Sequence, residues 1–387
     1  MKVTMVGTFP PIKGISEYCV HLAGALGRRI EVDFVGFSHI YPEWLYPGGT
    51  KEQDDTLRAP SAPSLAVRTP LAWFNPFGWF LTGLTVPGAV CHVNWWTYFL
   101  APVVLTLLLG VKLRRRPVVM TVHNVLGHET NPLDRLLTRL AFLFPDRFIV
   151  HTGENRRQLI EVFGIPGGRI VVIPYGPLDF YADEAVSPAD ARRRLGLTDD
   201  ERVLLHFGYI RDYKGLDVLL RAMPRVVEEI PNVKLVIAGT CWKGKAGWER
   251  YQRIIDELHL AGHVKLDIRY VPSSMVKVYF QAAEVVVLPY LHFEAQSGPG
   301  NIALAFGRPC VVTRTGGLPN LVRDPDAVAE PGDVDALARA LTRCLNDPDK
   351  LRAMADDADA LATQYSWTHI AERTVGLYEE LLSHRPA

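Results

Sequence analysis

The sequence lacks the cysteine patterns that build disulfide frameworks or zinc sites. Its five cysteines are scattered and form no CxxC pair; they are Cys19, Cys91, Cys241, Cys310 and Cys344. Scattered cysteines are typical of reduced, buried thiols in a cytosolic protein. The chain opens on an apolar strand at residues 2–6, followed by Pro10-Pro11. We therefore predict no signal peptide and a cytoplasmic location.

The chain also lacks net charge, because Lys+Arg and Asp+Glu number 42 each. Such a balance creates no overall field for nucleic acid, so no nucleic-acid partner is predicted. No segment repeats at a solenoid period. The dinucleotide fingerprint GxGxxG is absent, since Gly7 and Gly14 do not have its spacing. Hydride transfer with a dinucleotide is thereby disfavoured.

What the chain does contain is β–α alternation. Its 387 residues favour two domains, at about 150 residues each. Alternation in both halves predicts two doubly wound α/β domains with parallel sheets, at residues 1–180 and 187–365, followed by a helix in 366–387. Besides residues 2–6, strands are predicted at 32–37, 90–93, 118–123, 148–150, 170–173, 203–207, 233–238, 264–268, 285–288 and 310–313. Residues 174–186 form the predicted linker.

Two segments of the second half have the pattern of an anion site. The apolar strand 285–288 is followed by a loop with Glu294, and Pro299 is placed to start a helix. The free N–H groups of such a helix bind phosphate, although an ordinary β–α connection explains the glycines equally well. After strand 203–207, Arg211 and Lys214 precede another helix. Two cations there, at the same predicted sheet edge, would bracket a diphosphate.

Two stretches of the first half are unusually apolar. Residues 73–80 are dense in aromatic residues, and residues 98–109 are nearly all apolar and precede the basic residues 112–116. The second stretch is short for a membrane span and contains Pro102. A helix buried on the sheet is favoured over contact with an anionic membrane that carries a lipid-borne acceptor. Both interpretations stay open at this stage.

Taken together, these motifs resemble glycosyltransferase family 4. The stretch EAQSGPGNIALAFGRPCVV at 294–312 is similar to the family's EGFGLPLLEAMACGKPVV. Further similarity lies in GYIRDYKGLDVLL, TRTGGLPNLV, AVAEPGDVDALARAL and YSWTHIAERTVGLYEELL, and, in the first half, in VVMTVHN and VVIPYG. The resemblance spans nearly the whole chain, from Lys2 to Leu382.

The resemblance implies the GT-B architecture, in which two Rossmann-like domains face a cleft and a C-terminal helix crosses back to the first domain. It implies retaining transfer of a hexose from a nucleotide-diphosphate sugar, with UDP or GDP as the nucleotide, to a sugar, lipid-linked or small-molecule acceptor. No metal or other cofactor is expected. The catalytic residues that it implies are Glu294, His123, Arg211 and Lys214. The donor-binding residues that it implies are Gly14, Tyr270, Val271, Gln296, Ser297, Gly298, Gly300 and Asn301.

By the family pattern, Arg211 and Lys214 would stabilise the leaving diphosphate. Glu294 would contact the transferred hexose, and His123 would face that sugar from the first domain. Gly14 would allow close approach of the first loop. Residues 270–272 would hold the base through backbone groups.

The chain departs from the family pattern at the position that usually binds ribose. A second glutamate is common eight residues after the first, and here that position is Ile302. Asn301 is adjacent, but successive helix residues point about 100° apart. Tyr209 and Asn320 also replace charged residues of the pattern. An active transferase is favoured, and a nucleotide-sugar-binding regulatory protein without turnover is the alternative.

Overall fold

The computed structural model describes residues 1–10, 12, 15–40, 62–125, 132–182, 186–293 and 296–383. The chain divides into two compact units. Unit 1 comprises Met1–Gly176 and Tyr365–Ala387, and unit 2 comprises Pro177–Gln364. The division falls inside the segment 174–186, where the sequence predicts a linker.

Unit 1 contains one parallel sheet with helices on both faces. Its strands are β1 (Lys2–Val6), β2 (Glu31–His39), β3 (Leu65–Ala72), β4 (Val90–Trp95), β5 (Val118–Val122), β6 (Arg147–Val150) and β7 (Ile170–Val172). Its helices are α1 (Ser16–Gly27), α2 (Pro76–Leu84), α3 (Ala101–Leu113), α4 (Pro132–Ala141), α5 (Gly153–Phe163) and α13 (Trp367–Ser383). The described strands are ordered β3-β2-β1-β4-β5-β6-β7.

Each face of this sheet has its own core. Helices α1 and α13 cover one face, where Tyr18, Trp367 and Tyr378 are buried with the inward residues of β1 and β2. The other face is covered by α2, α3, α4 and α5, around Trp79 and Phe142. Helix α13 is thus part of unit 1, and Arg147 on β6 forms an ion pair with its Glu380 at 3.0 Å.

Unit 2 repeats this plan. Its strands are β8 (Arg202–Phe207), β9 (Val233–Ala238), β10 (Val264–Asp267), β11 (Val285–Leu288), β12 (Cys310–Thr313) and β13 (Val328–Ala329). Its helices are α6 (Pro188–Arg194), α7 (Leu216–Glu229), α8 (Gly244–Glu257), α9 (Ser273–Ala282), α10 (Gly298–Ala305), α11 (Val334–Asn346) and α12 (Pro348–Gln364). The strands are parallel and ordered β10-β9-β8-β11-β12-β13.

The prediction of two doubly wound parallel domains is therefore confirmed. Strand β3 was not predicted, because Arg68 and Pro70 interrupt its apolar pattern. Proline is tolerated in a strand at the edge of a sheet, which is where β3 lies. Helix α3 packs on the sheet, as the first of the two interpretations of residues 98–109 predicts. None of the described helices combines the length and the hydropathy that a membrane span requires.

Candidate functional site

The candidate site of unit 2 lies where the strand order reverses. Strands β8 and β11 are far apart in sequence and adjacent in the sheet, with Leu204 paired to Val285. Loops at the carboxyl ends of two such strands diverge and leave a crevice, the usual ligand site of doubly wound sheets. One of these loops comprises residues 208–215 and the other residues 289–297. The two segments predicted from sequence are thus neighbours in space.

The two loops are held together by backbone contacts. The Leu291 N–H donates to the Tyr213 carbonyl at 2.7 Å. Gly215 has a φ of +64° and packs so closely on the Pro289 carbonyl that a side chain would collide with it. Gly208, at φ +97°, lies between the loops: a Cβ there would be 3.2 Å from Lys214 Nζ and 3.3 Å from Pro299 Cγ. The Lys214 ammonium therefore lies beside the start of α10.

Lys214 is a buried cation. Its Nζ lies 5.4 Å from the centroid of the Tyr290 ring, and the residue is 6% exposed. Burial, and then the charge of Arg211, lower the pKa of Lys214 from 10.5 to about 7. His206 on β8 is also buried, and burial lowers its pKa to about 3, so it adds no positive charge at neutral pH. A desolvated lysine of this kind gains its full charge when an anion approaches.

Arg211 is held in place by an aromatic ring. Its guanidinium carbon lies 4.0 Å from the centroid of the Trp242 ring, a cation–π contact. Its Nε is buried and has no hydrogen-bond partner among the described residues. The neighbouring carboxylate of Asp212 pairs with Lys243 at 2.7 Å and with Arg250 at 3.0 Å. Arg211 thus keeps hydrogen-bonding capacity for a ligand oxygen.

The first turn of α10 is capped by Ser297. Its Oγ accepts from the Gly300 N–H at 3.2 Å and lies 3.0 Å from Tyr290 Oη. The Asn301 N–H donates to the Ser297 carbonyl at 2.9 Å, and Pro299 has no N–H. No described atom lies within 4 Å of the place of a Cβ on Gly298. The cap thus uses the Gly300 N–H in this structure. The assignment of Gly298 and Gly300 to the donor stays a prediction.

The remaining donor-binding candidates of unit 2 differ in exposure. Ile302 is 5% exposed and Asn301 is 1% exposed. The Nδ2 group of Asn301 has no hydrogen-bond partner within the described part of the chain. Gln296 is half-buried. Tyr270 and Val271 follow β10 at the same carboxyl edge, with the Tyr270 side chain partly exposed and Val271 buried.

In unit 1, His123 follows β5 and joins a buried chain of hydrogen bonds. Its Nε2 lies 3.1 Å from Asn94 Oδ1, and its Nδ1 lies 3.1 Å from His151 Nε2. His151 Nδ1 lies 3.0 Å from the Ile173 carbonyl. Asn94 Nδ2 donates to the Val6 carbonyl, which leaves Asn94 Oδ1 as the acceptor. Consequently His123 Nε2 carries the hydrogen in that contact.

The protonation of this pair is set by two opposing effects. His123 and His151 make three contacts: with Asn94 Oδ1, with each other and with the Ile173 carbonyl. Two neutral rings supply only two N–H groups, and the two oxygens accept both of them. One further proton would therefore add a hydrogen bond between the two rings. Burial opposes that proton: together with the neighbouring His151 it lowers the pKa of His123 far below its usual value, and burial lowers the pKa of His151 to about 4. Both rings are therefore neutral near pH 7.

Sequence reasoning missed the partners of His123. The Tyr18 ring meets His123 edge-on with the ring centroids 4.6 Å apart, and His151 follows β6 as His123 follows β5. A histidine at the end of one predicted strand and another directly after the next was the available signal for His151. Two predicted residues, Glu294 and Gly14, lie outside the described residues. Within the described ranges, no group of three His, Cys, Asp or Glu residues is arranged to hold a metal ion.

Two family profiles match this chain. The profile described as Glycosyltransferase Family 4 matches residues 12–176, and the profile described as Glycosyl transferases group 1 matches residues 189–360. Together they match most of the chain, one profile in each half.

Several curated proteins are similar to the chain. The D-inositol 3-phosphate glycosyltransferase of Thermobispora bispora is 30% identical over 283 residues, which are 69% of this chain and 65% of that protein. The protein of the same name from Thermomonospora curvata is 32% identical over 60% of this chain and 56% of its own length. The match thus spans less than two thirds of these two relatives. An uncharacterized glycosyltransferase of Methanocaldococcus jannaschii is 25% identical over 98% of both chains.

Solved structures share the fold. Anabaena HepE in complex with UDP and glucose superimposes with a TM-score of 0.73 at 19% identity, covering 98% of this chain and 100% of that chain. Sucrose-phosphate synthase from Thermosynechococcus elongatus superimposes with a TM-score of 0.73 at 19% identity, covering 99% and 100%. At such identities the likeness shows the fold alone.

Proposed function

The chain belongs to glycosyltransferase family 4 and has its two-domain GT-B fold, and on that premise we propose that it transfers a hexose from a nucleotide-diphosphate sugar to an acceptor. The transfer retains the anomeric configuration and uses no metal ion. The donor is a UDP-hexose, an assignment supported by the UDP and UDP-glucose complexes of the structural neighbour HepE. A GDP-hexose is the second candidate donor.

One observation carries this proposal. Arg211 and Lys214 lie on the loop after β8, and the Lys214 ammonium lies beside the first turn of α10, the helix that follows β11. Breaking the bond between hexose and diphosphate places negative charge on the leaving group. Two cations, one of them buried, stabilise that charge more strongly than water does, which lowers the barrier. In this proposal Gly298 adds its backbone N–H and the dipole of α10 to the same phosphates.

The remaining roles follow the family pattern. Glu294 contacts the hydroxyls of the hexose. The family pattern also assigns neutral His123 to the sugar, and its Nε2–H would exchange Asn94 Oδ1 for a sugar oxygen. Gly14 allows the first loop to approach, and residues 270–271 hold the base through their backbone. Asn301 offers a buried amide without a partner among the described residues, a donor that a ligand oxygen would satisfy.

The location belongs to the same proposal. The five cysteines are free and buried, as expected of a protein kept in a reducing compartment. We place the protein in the cytoplasm, at the inner face of the membrane. The acceptor is a sugar, a lipid-linked sugar or a small polyol such as inositol phosphate, which the names of the curated relatives suggest.

A nucleotide-sugar-binding protein without turnover is the alternative. It is favoured by Ile302, a buried aliphatic residue at the position where a glutamate usually contacts ribose. An aliphatic side chain accepts no hydrogen bond, so the ribose would be held by other groups or more weakly.

The test is a donor and acceptor screen with the purified chain. UDP-, GDP- and ADP-hexoses are incubated with inositol phosphate, simple glycosides and lipid-linked sugars, and the released nucleoside diphosphate and the product are measured. NMR of the anomeric proton of the product reports retention, and a parallel reaction with a chelator reports metal dependence. Binding of a donor without product in any combination supports the alternative, and loss of activity with chelator contradicts the metal-independent mechanism.

A pair of lysine variants tests the assigned site. We expect Lys214→Ala to lower the transfer rate about a hundredfold or more, since it removes a charge aimed at the leaving group. The matched control is Lys234→Ala, which removes a lysine from β9 that pairs with Glu201. The control should retain the rate, and retention by Lys214→Ala would contradict the assigned role.

A further inference from the structure

The outer face of α2, α3 and α4 in unit 1 is unusually apolar. Helix α2 packs on α3, and α3 contacts α4, so the three form one layer on the sheet. Exposed large apolar side chains collect on the outside of this layer and at the ends of its helices: Trp73, Phe74, Phe77, Leu81, Phe99, Leu109, Leu113, Leu133, Leu136, Leu140 and Leu143. We call these residues the apolar face. They are most of the exposed large hydrophobic residues of the described chain.

Helix α4 has its amphipathic pattern inverted. Its buried residues are Asp134, Thr138 and Ala141, and the Thr138 hydroxyl donates to Asp134 Oδ1 at 3.0 Å. Its exposed leucines, Leu133, Leu136 and Leu140, follow the helical spacing of three and four residues, and Leu143 continues the stripe at 72% exposure. A helix that folds against a protein core buries such a stripe. In this helix the stripe is exposed instead.

Helices α2 and α3 add two parallel stripes. On α2 the stripe is Phe77 and Leu81, with Phe74 just before the helix. On α3 it is Leu109 and Leu113, with Phe99 just before the helix. The two helices approach closely because Gly83 packs on the Leu107 carbonyl and Gly110 on the Phe80 carbonyl. Both helices begin at the carboxyl edge of the sheet, since they follow β3 and β4. The aromatic end of the face thus borders the edge at which His123 lies.

Basic residues predominate around the apolar face. Residues 56–128 contain no Asp or Glu, although the whole chain has 42 acidic residues. The same segment carries Lys112, Arg114, Arg115 and Arg116 at the end of α3, and Arg135 and Arg139 flank the leucines of α4. Leu143 also lines a surface pocket of about 620 Å³ with Lys112, Arg147, Arg169 and one acidic residue, Asp146, which pairs with Lys112 at 2.7 Å. Cations around an apolar stripe are complementary to the headgroups and chains of anionic lipid.

We propose that the apolar face docks on an anionic phospholipid surface, with α2, α3 and α4 lying in the plane of the membrane interface. The leucine and phenylalanine side chains insert between lipid chains, and the basic residues contact the headgroups. A second copy of this chain is the weaker occupant, because a two-fold contact would bring the same cations together. The proposal does not depend on the identity of the donor sugar.

The test is co-sedimentation of the full-length protein, without nucleotide sugar, with vesicles of phosphatidylcholine alone and of phosphatidylcholine with 30% phosphatidylglycerol, both in about 0.1 M salt. We expect binding to the anionic vesicles at least tenfold tighter than to the neutral ones. The double variant Leu136→Glu/Leu143→Glu should lose at least tenfold in partition coefficient. The partition coefficient of Arg114→Glu/Arg139→Glu on the anionic vesicles should fall about fivefold or more for each cation removed.

The matched control is Leu266→Glu, which places the same charge at an exposed leucine of β10 in unit 2. It should bind vesicles as the unchanged protein does. All variants should keep their thermal unfolding midpoint, because each replaced side chain is solvent-exposed. The proposal would be overturned by equal binding to both vesicle types or by unchanged binding of the leucine variant. It would also be overturned if the protein bound no vesicles and instead formed a concentration-dependent dimer that the leucine variant abolishes.

Discussion

The pKa of Lys214 gives a sharp prediction for donor binding. In the free protein its pKa is lowered to about 7, by burial and then by Arg211. A bound diphosphate brings negative charge next to the ammonium and raises that pKa again. Above pH 7 the protein must then take up one proton for each donor that it binds. We therefore expect the affinity for the donor to fall as the pH rises above 7, and to level off below it.

The size of the effect follows from proton linkage. With a free pKa of about 7 and a much higher pKa in the complex, the dissociation constant rises about fifteenfold between pH 7 and pH 8.5. The histidines do not contribute in this window, because burial keeps the pKa of His151 at about 4 and that of His206 at about 3. The range stops at pH 8.5 so that the uracil ring does not ionise.

The measurement is titration calorimetry with UDP-glucose in buffers of different ionisation enthalpy, which yields both affinity and proton uptake. Lys214→Arg provides the control with a permanent charge, and its affinity should not change with pH. Lys214→Met should bind weakly at every pH. A pH-independent affinity in the unchanged protein, or the same slope in Lys214→Arg, would refute the assignment of this lysine to the diphosphate.

The same lowered pKa predicts that Lys214 destabilises the folded protein at neutral pH, although it favours donor binding. The unfolded chain holds the Lys214 proton up to about pH 10.5, and the folded chain releases it at about pH 7. Between these values the unfolded state binds more protons, so this group makes the free energy of unfolding rise with pH. At pH 7 the lysine costs about 4 kcal/mol. Lys214→Met should therefore raise the unfolding midpoint at pH 7 while it weakens donor binding, and an unchanged or lower midpoint would contradict the buried charge.

Three further substitutions test other parts of the structure. Gly208 has a φ of +97° and lies beside Lys214, so Gly208→Ala should lose donor affinity in the calorimetric assay. The control Gly196→Ala, at φ +63° in open surroundings, should keep that affinity and lose only about 1 kcal/mol of stability. Equal donor affinities of the two variants would refute the close packing at Gly208. Ile302→Glu should lower the free energy of unfolding, measured by urea titration, by about 2 kcal/mol or more, because Ile302 is buried. Unchanged stability together with tighter donor binding would mean that the side chain reaches the ligand. Tyr378→Phe should cost about 1 kcal/mol by removing the hydrogen bond to buried His92, and a neutral result in the same urea assay would contradict that contact.

Much of the candidate site in unit 2 could be predicted from sequence. Arg211 and Lys214 follow a strongly apolar strand, and Pro299 marks the start of a helix after another, so both loops were assigned to strand ends by local pattern. The role of Gly300 could not be predicted in this way. Its N–H is used by Ser297, a detail that depends on the rotamer of the cap and on the hydroxyl of Tyr290.

In unit 1 the surroundings of His123 were not predictable. Asn94, His151 and Tyr18 reach it from three different elements, and local patterns carry no information on which side chains meet across a sheet. The inverted face of α4 was missed for a related reason. Its leucines have the spacing of a core-facing stripe, and only the burial of Asp134 and Thr138 in the folded chain shows that the stripe points outward.

The sequence by itself determined the fold class, the alternation of strands and helices and the family, because these depend on short-range periodicity and on motifs that are continuous in the chain. Only the tertiary structure decided that β8 and β11 are neighbours, that Gly208 separates Lys214 from Pro299, and that the lysine is buried. Burial and proximity arise from strand order and side-chain packing between distant segments. They set the pKa of Lys214, and with it the charge that the site offers to a diphosphate.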